Sequence, residues 1–406
     1  MKVVRLSSGA FACLLVIAFQ TSALAQLSHG FTLKAPAGAQ EAERSISLPL
    51  KAIEYHPSTS ASAKAAAADS PIMAASRTIP LWTETTASPF GSFTYTMVGK
   101  DPTVFLGTAQ ASTIKSPVLP IVFTFSATGD VYDPTATDPC SPAGTPYNLT
   151  LGSPIFKAHK YVVGGTLVGS TQYTDFFQRA NFFAFTKPTG LNPKYHVKVT
   201  SVTKAGIAVT ASGFPEISGG CGNLGLIEIN AWDGFVQSAL FPALAAAGVT
   251  PKTLPIFLFH NVVLYIGTPN QCCVLGYHSA FNNPSFSGSP FQTYVVADYD
   301  TTGDFGTGLQ DVSALSHEVG EWMDDPDGGN PTPPWGHIGQ VGGCQNNLEV
   351  GDPLSGTLVN VAINGFTYHP QEMAFLSWFY DEPSIGVNGW FSSNGTFRTF
   401  AVEPCH

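Results

Sequence analysis

The sequence has few charged residues, and basic ones are the scarcer kind. Charged side chains make up 11% of the 406 residues, and 18 Lys and Arg stand against 28 Asp and Glu, for a formal net charge of −10. A chain with so little positive charge is poorly suited to the phosphate backbone of DNA or RNA. We therefore expect no nucleic-acid partner.

The chain also lacks several motifs that identify common chemistries. It contains no G-x-S-x-G sequence, no Gly-rich phosphate-binding loop and no C-x-x-C pair. Serine-nucleophile chemistry, nucleotide chemistry and a zinc ribbon are therefore not expected. After the N-terminal segment no apolar run approaches about 18 residues, so we expect no membrane span in the mature chain.

Residues 1–25 have the pattern of a secretory signal peptide. Lys2 and Arg5 precede an apolar run from Ala10 to Phe19, and Ala23-Leu24-Ala25 forms a small-residue cleavage site. Cleavage removes two positive charges and no negative one, which changes the formal charge from −10 to −12. The pattern predicts a secreted protein, extracellular or periplasmic.

The mature chain keeps an even number of cysteines. Such a count in an exported chain predicts up to three disulfides, with fifteen pairings open. Because adjacent cysteines more often bond to distant partners than to each other, we expect Cys272 and Cys273 to bond outward. The six are Cys140, Cys221, Cys272, Cys273, Cys344 and Cys405.

Composition and patterning predict an α+β fold in two units. Residues 26–80 are rich in Ala and Ser and are expected to be a flexible leader or propeptide. Residues 81–215 carry short β-type runs separated by turn residues and are expected to form an all-β unit. In residues 216–406 a helix at 231–247 and apolar strands at 255–266 and 293–299 predict an α/β unit, closed by an aromatic-rich C-terminal segment.

Residues 311–325 are predicted to form one short helix. Asp311 is the expected N-cap, and Pro326 disfavours helical geometry at the residue before it. The helical period places Val312, Leu315, Val319 and Trp322 or Met323 in an apolar stripe. Gly320 costs helix stability, which predicts close approach of another backbone or a ligand at that position.

The same period places His317 and Glu321 on one face of the helix, where both can ligate a metal ion. Zinc accepts imidazole nitrogen and carboxylate oxygen, although a carboxylate in place of a second imidazole makes another divalent ion more competitive. Glu318, between them in the motif His317-Glu318-x-x-Glu321, is the candidate general base that takes a proton from a metal-activated water.

The third ligand is expected in the segment 346–352. Glu349 could complete the site while Asp352 hydrogen-bonds His317, or Asp352 could be the ligand with Glu349 in support. Asp327, His337 and His278 are further candidates for this position.

Two other positions bear on chemistry. Tyr277 or His278 could stabilise an oxyanion. Residues 298–304 place Asp298, Asp300 and Asp304 at the spacing of a calcium loop, although Leu309 stands where the closing Glu is expected, so calcium is a further candidate cofactor.

The motif and its flanks resemble two families. His317-Glu318-Val319-Gly320-Glu321, followed later by Glu349, is similar to the gluzincin arrangement of the zincin metallopeptidases over residues 220–355. That resemblance implies His317, Glu321 and Glu349 as zinc ligands, Glu318 as general base and a cleft beside an edge strand; Glu321 departs from the family, which has His there. Ser316 to Glu321, with Asp325-Pro326 and Glu349-Val350-Gly351-Asp352, also resembles the plant Exordium and phosphate-induced proteins, which implies an extracellular protein.

The sequence thus leaves two hypotheses of different classes. The first is a secreted metal-dependent hydrolase, a peptidase that acts on a peptide or protein substrate, with Glu318 as general base. The second is a non-catalytic extracellular binding or structural protein that retains a degenerate zincin-like metal site.

Overall fold

The computed structural model describes residues 27, 30–36, 50, 52, 55, 77–399 and 405. The predicted signal peptide and most of the predicted leader lie outside these residues. The described chain is a mixed α+β protein, with 20% helix and 38% strand, which confirms the predicted fold class.

The strands are short and numerous, except for one of 15 residues. They are β1 Phe31–Lys34, β2 Leu81–Ser88, β3 Gly91–Val98, β4 Ala111–Phe125, β5 Val131–Tyr132, β6 His159–Val163, β7 Thr166–Thr171, β8 His196–Thr203, β9 Ile207–Ser212, β10 Glu216–Ser218, β11 Asn223–Glu228, β12 Ile256–His260, β13 Val262–Tyr265, β14 Cys272–Val274, β15 Gly276–Asn282, β16 Phe291–Tyr299, β17 Pro331–Ile338, β18 Val341–Asn347, β19 Val361–Ile363 and β20 Phe366–Tyr368.

Three of the helices lie between β5 and β8, two precede β12, one follows β16 and one follows β20. They are α1 Pro146–Gly152, α2 Tyr173–Asn181, α3 Phe183–Thr186, α4 Ile229–Phe235, α5 Phe241–Ala246, α6 Ser313–Asp324 and α7 Leu376–Phe379. A π-helical segment, Val236–Leu240, joins α4 to α5, so the helix predicted at 231–247 is confirmed as one nearly continuous element. Among the described residues, none of the helices is long and apolar enough to cross a membrane.

The main sheet is built around the long strand β4. Its strand order is β1-β9-β4-β12-β16-β15, with β5 and β8 also paired to β4. The pairs along β1-β9-β4-β12-β16 are parallel, and β15 runs antiparallel to β16 at the edge. Since β4 lies in the predicted all-β unit and β12 and β16 in the predicted α/β unit, residues on both sides of position 215 share one sheet.

The residues of β12 show why both faces of this sheet are covered. Side chains alternate across a strand, and Ile256 and Leu258 belong to one buried cluster, while Phe257 and Phe259 belong to another. The first cluster contains the apolar stripe of α6, and the second contains residues of α4 and α5. The sheet is therefore the middle layer between two helical layers.

The remaining strands form smaller units. A second sheet has the order β10-β11-β13-β14, and β2-β3, β6-β7, β17-β18 and β19-β20 are hairpins. The apolar run predicted as one strand at 255–266 is divided between the two sheets at Asn261, which has a φ of 52°. The predicted all-β region also contains α1, α2 and α3. The helix α2 escapes a simple pattern search because its buried face includes Asp175 and Arg179 as well as Phe177.

The six cysteines after residue 25 all lie in disulfides, which agrees with the prediction of up to three. Two pairs are long-range, Cys140–Cys221 and Cys344–Cys405. The third joins Cys272 to Cys273, so the expectation that these adjacent residues bond outward is wrong. The peptide between them is cis, and their Cα atoms lie 3.0 Å apart.

Candidate metal centre

The helix α6 carries the centre and is buried along its whole length. Its apolar stripe, Leu315, Val319 and Trp322, packs on the sheet as predicted. Trp322 also donates a hydrogen bond from Nε1 to Thr293 of β16, at 3.0 Å, which fixes the helix over that strand. The helix α6 also contacts α2 and β3.

The N-terminus of α6 differs from the prediction. Val312 occupies the N-cap position and provides no side-chain hydrogen bond. Asp311, the predicted cap, instead has a φ of 39° and accepts hydrogen bonds from the backbone N–H groups of Val312 and His369. The Asp311 carboxylate therefore binds the distant residue His369, although the local sequence predicts that it caps α6.

His317 and Glu321 lie together on one face of α6, as the helical period predicts. His317 Nε2 is 2.9 Å from Glu321 Oε1. Both side chains are nearly inaccessible, with 8% and 4% of their surfaces exposed. In these surroundings a carboxylate has little water to stabilise its charge and depends on a cation or on hydrogen-bond donors.

Asp352 joins this pair, and Glu349 does not. Asp352 Oδ1 lies 3.3 Å from His317 Nε2, and one ligand atom each of His317, Glu321 and Asp352 lie within 4.8 Å of one another. Glu349 is fully buried nearby, where its Oε1 accepts a hydrogen bond from Asn347. Of the two alternatives for the third ligand, the geometry therefore favours Asp352.

The spacing of the three ligand atoms suits a metal ion. Two atoms bound about 2.0–2.2 Å from one ion lie about 3–3.6 Å apart, depending on the coordination angle. The two separations from His317 Nε2, 2.9 and 3.3 Å, are close to this range. One imidazole and two carboxylates form a donor set that zinc accepts, as do other divalent ions.

The loop before Asp352 is shaped around the His317 ring. A Cβ on Gly351 would lie 2.6 Å from His317 Nδ1, so only glycine fits there. The Gly351 N–H donates to Glu321 Oε1 at 3.0 Å. This one residue therefore contacts both helical ligands and fixes the position of the third.

Gln371 lies on the far side of the His317 ring. Its Nε2 donates to Gly351 O at 2.7 Å and lies 2.9 Å from His317 Nδ1, while its Oε1 is buried without a hydrogen-bond partner. With the amide in this orientation, a neutral ring accepts at Nδ1 and carries its hydrogen on Nε2, facing the carboxylates. If a cation were bound at Nε2, the ring would carry its hydrogen on Nδ1, where the Gln371 oxygen would accept it once the amide turned.

Glu318 points toward β15 and meets His278. Its Oε2 lies 3.3 Å from His278 Nδ1, and the same nitrogen lies 3.7 Å from Glu321 Oε2. His278 Nε2 donates to the backbone oxygen of Asp325 at 2.8 Å, just beyond the helix. His278, Glu318 and Glu321 therefore form a second buried group that could hold a metal ion, and this group shares Glu321 with the first.

The three carboxylates perturb both imidazoles. Burial opposes protonation of His317, yet Glu321, with Asp352 and Glu318, raises its pKa well above the ordinary value. Burial likewise opposes protonation of His278, but Glu318 and Glu321 raise its pKa to about 9. Burial raises the pKa of Glu318. Each shift shows that the cluster favours added positive charge.

The other candidates from the sequence lie apart from both groups. Tyr277 donates to Asp233 at 2.9 Å, away from Glu318. His337 is exposed, and the cysteines beside it, Cys344 and Cys405, form a disulfide. Asp327 belongs to neither buried group.

The predicted calcium loop is closed by its own hydrogen bonds. Asp300 accepts from the backbone N–H groups of Thr302 and Gly303, and Asp304 accepts from Gly220. Among the described residues, Asp298, Asp300 and Asp304 do not form a group whose ligand atoms lie within 4.8 Å of one another.

The sequence did not predict that His278 is a direct neighbour of Glu318 and Glu321. The available signal was an imidazole inside the buried β-type run Gly276–Asn282, and its distance along the chain from the motif gave no register.

Comparison of the chain with protein-family models, with curated proteins and with solved structures found no match.

Proposed function

We propose that the protein is an exported metal-dependent hydrolase whose ion is held by His317, Glu321 and Asp352. The observation that carries the proposal is the convergence of these three buried ligand atoms beside Glu318, the residue that follows the first ligand. The resemblance of the motif to gluzincins and the three disulfides agree with an exported metalloenzyme.

His317, Glu321 and Asp352 would hold a divalent ion that, when bound, would polarise a carbonyl and make a bound water more acidic. In this proposal Glu318 would accept the proton of that water and return it to the leaving group. His278 orients the Glu318 carboxylate through its 3.3 Å contact, and Asp325 fixes His278 through its carbonyl oxygen. We infer a peptide or protein substrate from the resemblance to peptidases, with zinc as the first candidate ion and other divalent ions as alternatives.

A second candidate function is a non-catalytic extracellular binding or structural protein. The observation that favours it is burial, since no more than 8% of the His317, Glu321 and Asp352 side chains is exposed. Closed sites of this kind are typical of structural metals, whereas catalytic sites keep a position open to substrate. In that case the ion stabilises the packing of α6 against the segment 349–352.

One set of measurements distinguishes the two functions. The full chain is analysed for metal content, and hydrolysis of casein and of a mixed peptide library is measured with and without chelator. If the protein is a hydrolase, we expect stoichiometric metal and loss of hydrolysis on chelation. In Glu318→Gln the rate of hydrolysis should decrease by about 10²–10⁴-fold, while the ion held by His317, Glu321 and Asp352 stays bound.

The matched control is Glu84→Gln, which makes the same change on β2 beside Tyr95 and should keep full activity. Stoichiometric metal without any hydrolysis that depends on Glu318 would replace the enzyme with the second function. A wild-type protein without metal, whose thermal stability is unchanged by chelator, would exclude both functions.

A further inference from the structure

The second buried group, His278, Glu318 and Glu321, has its donor atoms arranged around one point. His278 lies on β15, which pairs with β16 in the register that sets His278 opposite Val295. Its Nδ1, Glu318 Oε2 and Glu321 Oε2 converge from two elements, and all three side chains are at least nine-tenths buried.

The hydrogen of a neutral His278 is fixed away from this point. Nε2 lies 2.8 Å from a backbone carbonyl oxygen, which can only accept, so Nε2 is the donor. The lone pair of Nδ1 then faces Glu318 and Glu321. An acceptor nitrogen and two carboxylates directed at one point form a donor set that a cation satisfies, and a proton on Nδ1 takes that place when no ion is bound.

Glu321 links this point to the first ligand set. Its Oε1 faces His317 and its Oε2 faces His278, so a single carboxylate has one oxygen directed at each position. Bridging carboxylates of this kind are compatible with ions about 3.5–4 Å apart.

The backbone of β15 also makes room for Glu318. A Cβ on Gly276 would lie 2.9 Å from Glu318 Cγ and 2.9 Å from Val296 O. Glycine at this position therefore allows the Glu318 side chain to lie against the edge strand with its carboxylate beside His278.

We propose that the protein binds two divalent cations, the second held by His278, Glu318 and Glu321, with Glu321 bridging the two ions. The proposal rests on the first ion of the proposed function. The cluster carries three carboxylates, Glu318, Glu321 and Asp352, with a formal charge of −3, which one divalent ion reduces to −1 in a buried region. A second divalent ion takes the place of the proton that His278 otherwise holds against Glu318 and Glu321, and brings the formal charge to +1.

Occupation of the second position has a consequence for Glu318. Its Oε2 becomes a ligand, so proton transfer by this carboxylate and binding of the second ion compete for the same group. The second cation therefore regulates any hydrolysis that depends on Glu318.

The number of bound ions tests the proposal. The full chain is freed of metal with chelator and titrated with Zn²⁺, and bound zinc is counted by calorimetry and by elemental analysis after desalting. We expect two ions in the wild type and one in His278→Gln. The control His196→Gln, which alters an imidazole paired with Asp175 at 2.7 Å on β8, should still bind two.

A wild type that binds one ion overturns the second position and leaves the proposed function intact, whereas a wild type that binds none overturns both. Two ions in a folded His278→Gln, judged by its circular dichroism, also overturn the assignment. If that variant does not fold, the wild type alone decides: with Mn²⁺ we expect the electron paramagnetic resonance spectrum of a coupled pair at full loading, and signals of isolated ions only would contradict the bridge.

Discussion

Gly351 lies against the imidazole of His317, at a distance that leaves no room for a methyl group. A Cβ there would be 2.6 Å from Nδ1 and 2.8 Å from Cε1, and the φ of Gly351 is −85°, a value open to any residue. The need for glycine is therefore steric and comes from the ring.

Gly351→Ala is expected to weaken metal binding by about 10–100-fold, because the ring must turn away from Asp352 and the orientation of a ligand sets its affinity. Zinc affinity measured with a competing chelator checks this. The control is Gly342→Ala on β18, where a Cβ would meet nothing within 4 Å and affinity should not change. Equal affinities in both variants would show that the ring does not need this contact.

Loss of charge at Asp352 and loss of charge at Glu349 are expected to have different effects on zinc affinity. Asp352→Asn should lower zinc affinity by at least about tenfold, because Oδ1 lies 3.3 Å from His317 Nε2. Glu349→Gln should leave the affinity nearly unchanged, since Glu349 is in neither buried ligand group. A larger loss in Glu349→Gln than in Asp352→Asn would restore the ligand set that the resemblance to gluzincins implies.

The sequence predicted what depends on local geometry. The pairing of His317 with Glu321 and the apolar stripe of Leu315, Val319 and Trp322 follow from the period of one helix, and the structure confirms both. Whether Glu349 or Asp352 is the third ligand depends on the path of the loop that carries them, and the period of a helix does not constrain that path.

Contacts between distant segments were not predictable from the same patterns. His278 reaches Glu318 because β15 pairs with β16, and no local feature of either strand specifies that register. Similarly, β4 pairs with β12 across the predicted boundary. This pairing could not be predicted, because a buried parallel strand has the same apolar run whichever strand lies beside it.

Asp324, the last residue of α6, is expected to make stability depend on pH. It is fully buried, where burial raises its pKa to about 7 although Gln178 donates a hydrogen bond to it. The folded pKa is above the unfolded one, so the folded state holds the proton more tightly. The contribution of Asp324 to stability is therefore greatest below about pH 4 and is lost as pH rises toward 7.

Asp324→Asn removes this titration and keeps the shape of the side chain. The free energy of unfolding, measured in urea for both proteins from pH 4 to pH 8, should fall for the wild type relative to the variant as pH rises. Parallel curves over this range would contradict the raised pKa.

The close neighbour of Gly320 is the side chain of Met373, whereas the sequence predicted another backbone or a ligand at this position. We expect this contact to be the reason why position 320 requires glycine. A Cβ on Gly320 would lie 1.9 Å from Met373 Sδ, and Met373 is fully buried. Gly320→Ala should therefore destabilise the fold by about 1–3 kcal/mol through overpacking, although alanine is favoured in a helix by about 0.5–1 kcal/mol. Gly234→Ala in α4, where a Cβ would meet nothing within 4 Å, should show the favourable effect alone.

A double-mutant cycle isolates this contact. Met373→Ala alone is expected to cost about 2–5 kcal/mol through the cavity it leaves. In that background Gly320→Ala should cost little or stabilise, because the overlapping sulfur is gone and the new methyl fills part of the space. Unfolding free energies of the four proteins check this, and an equal cost of Gly320→Ala with and without Met373 would show that the glycine serves something other than this contact.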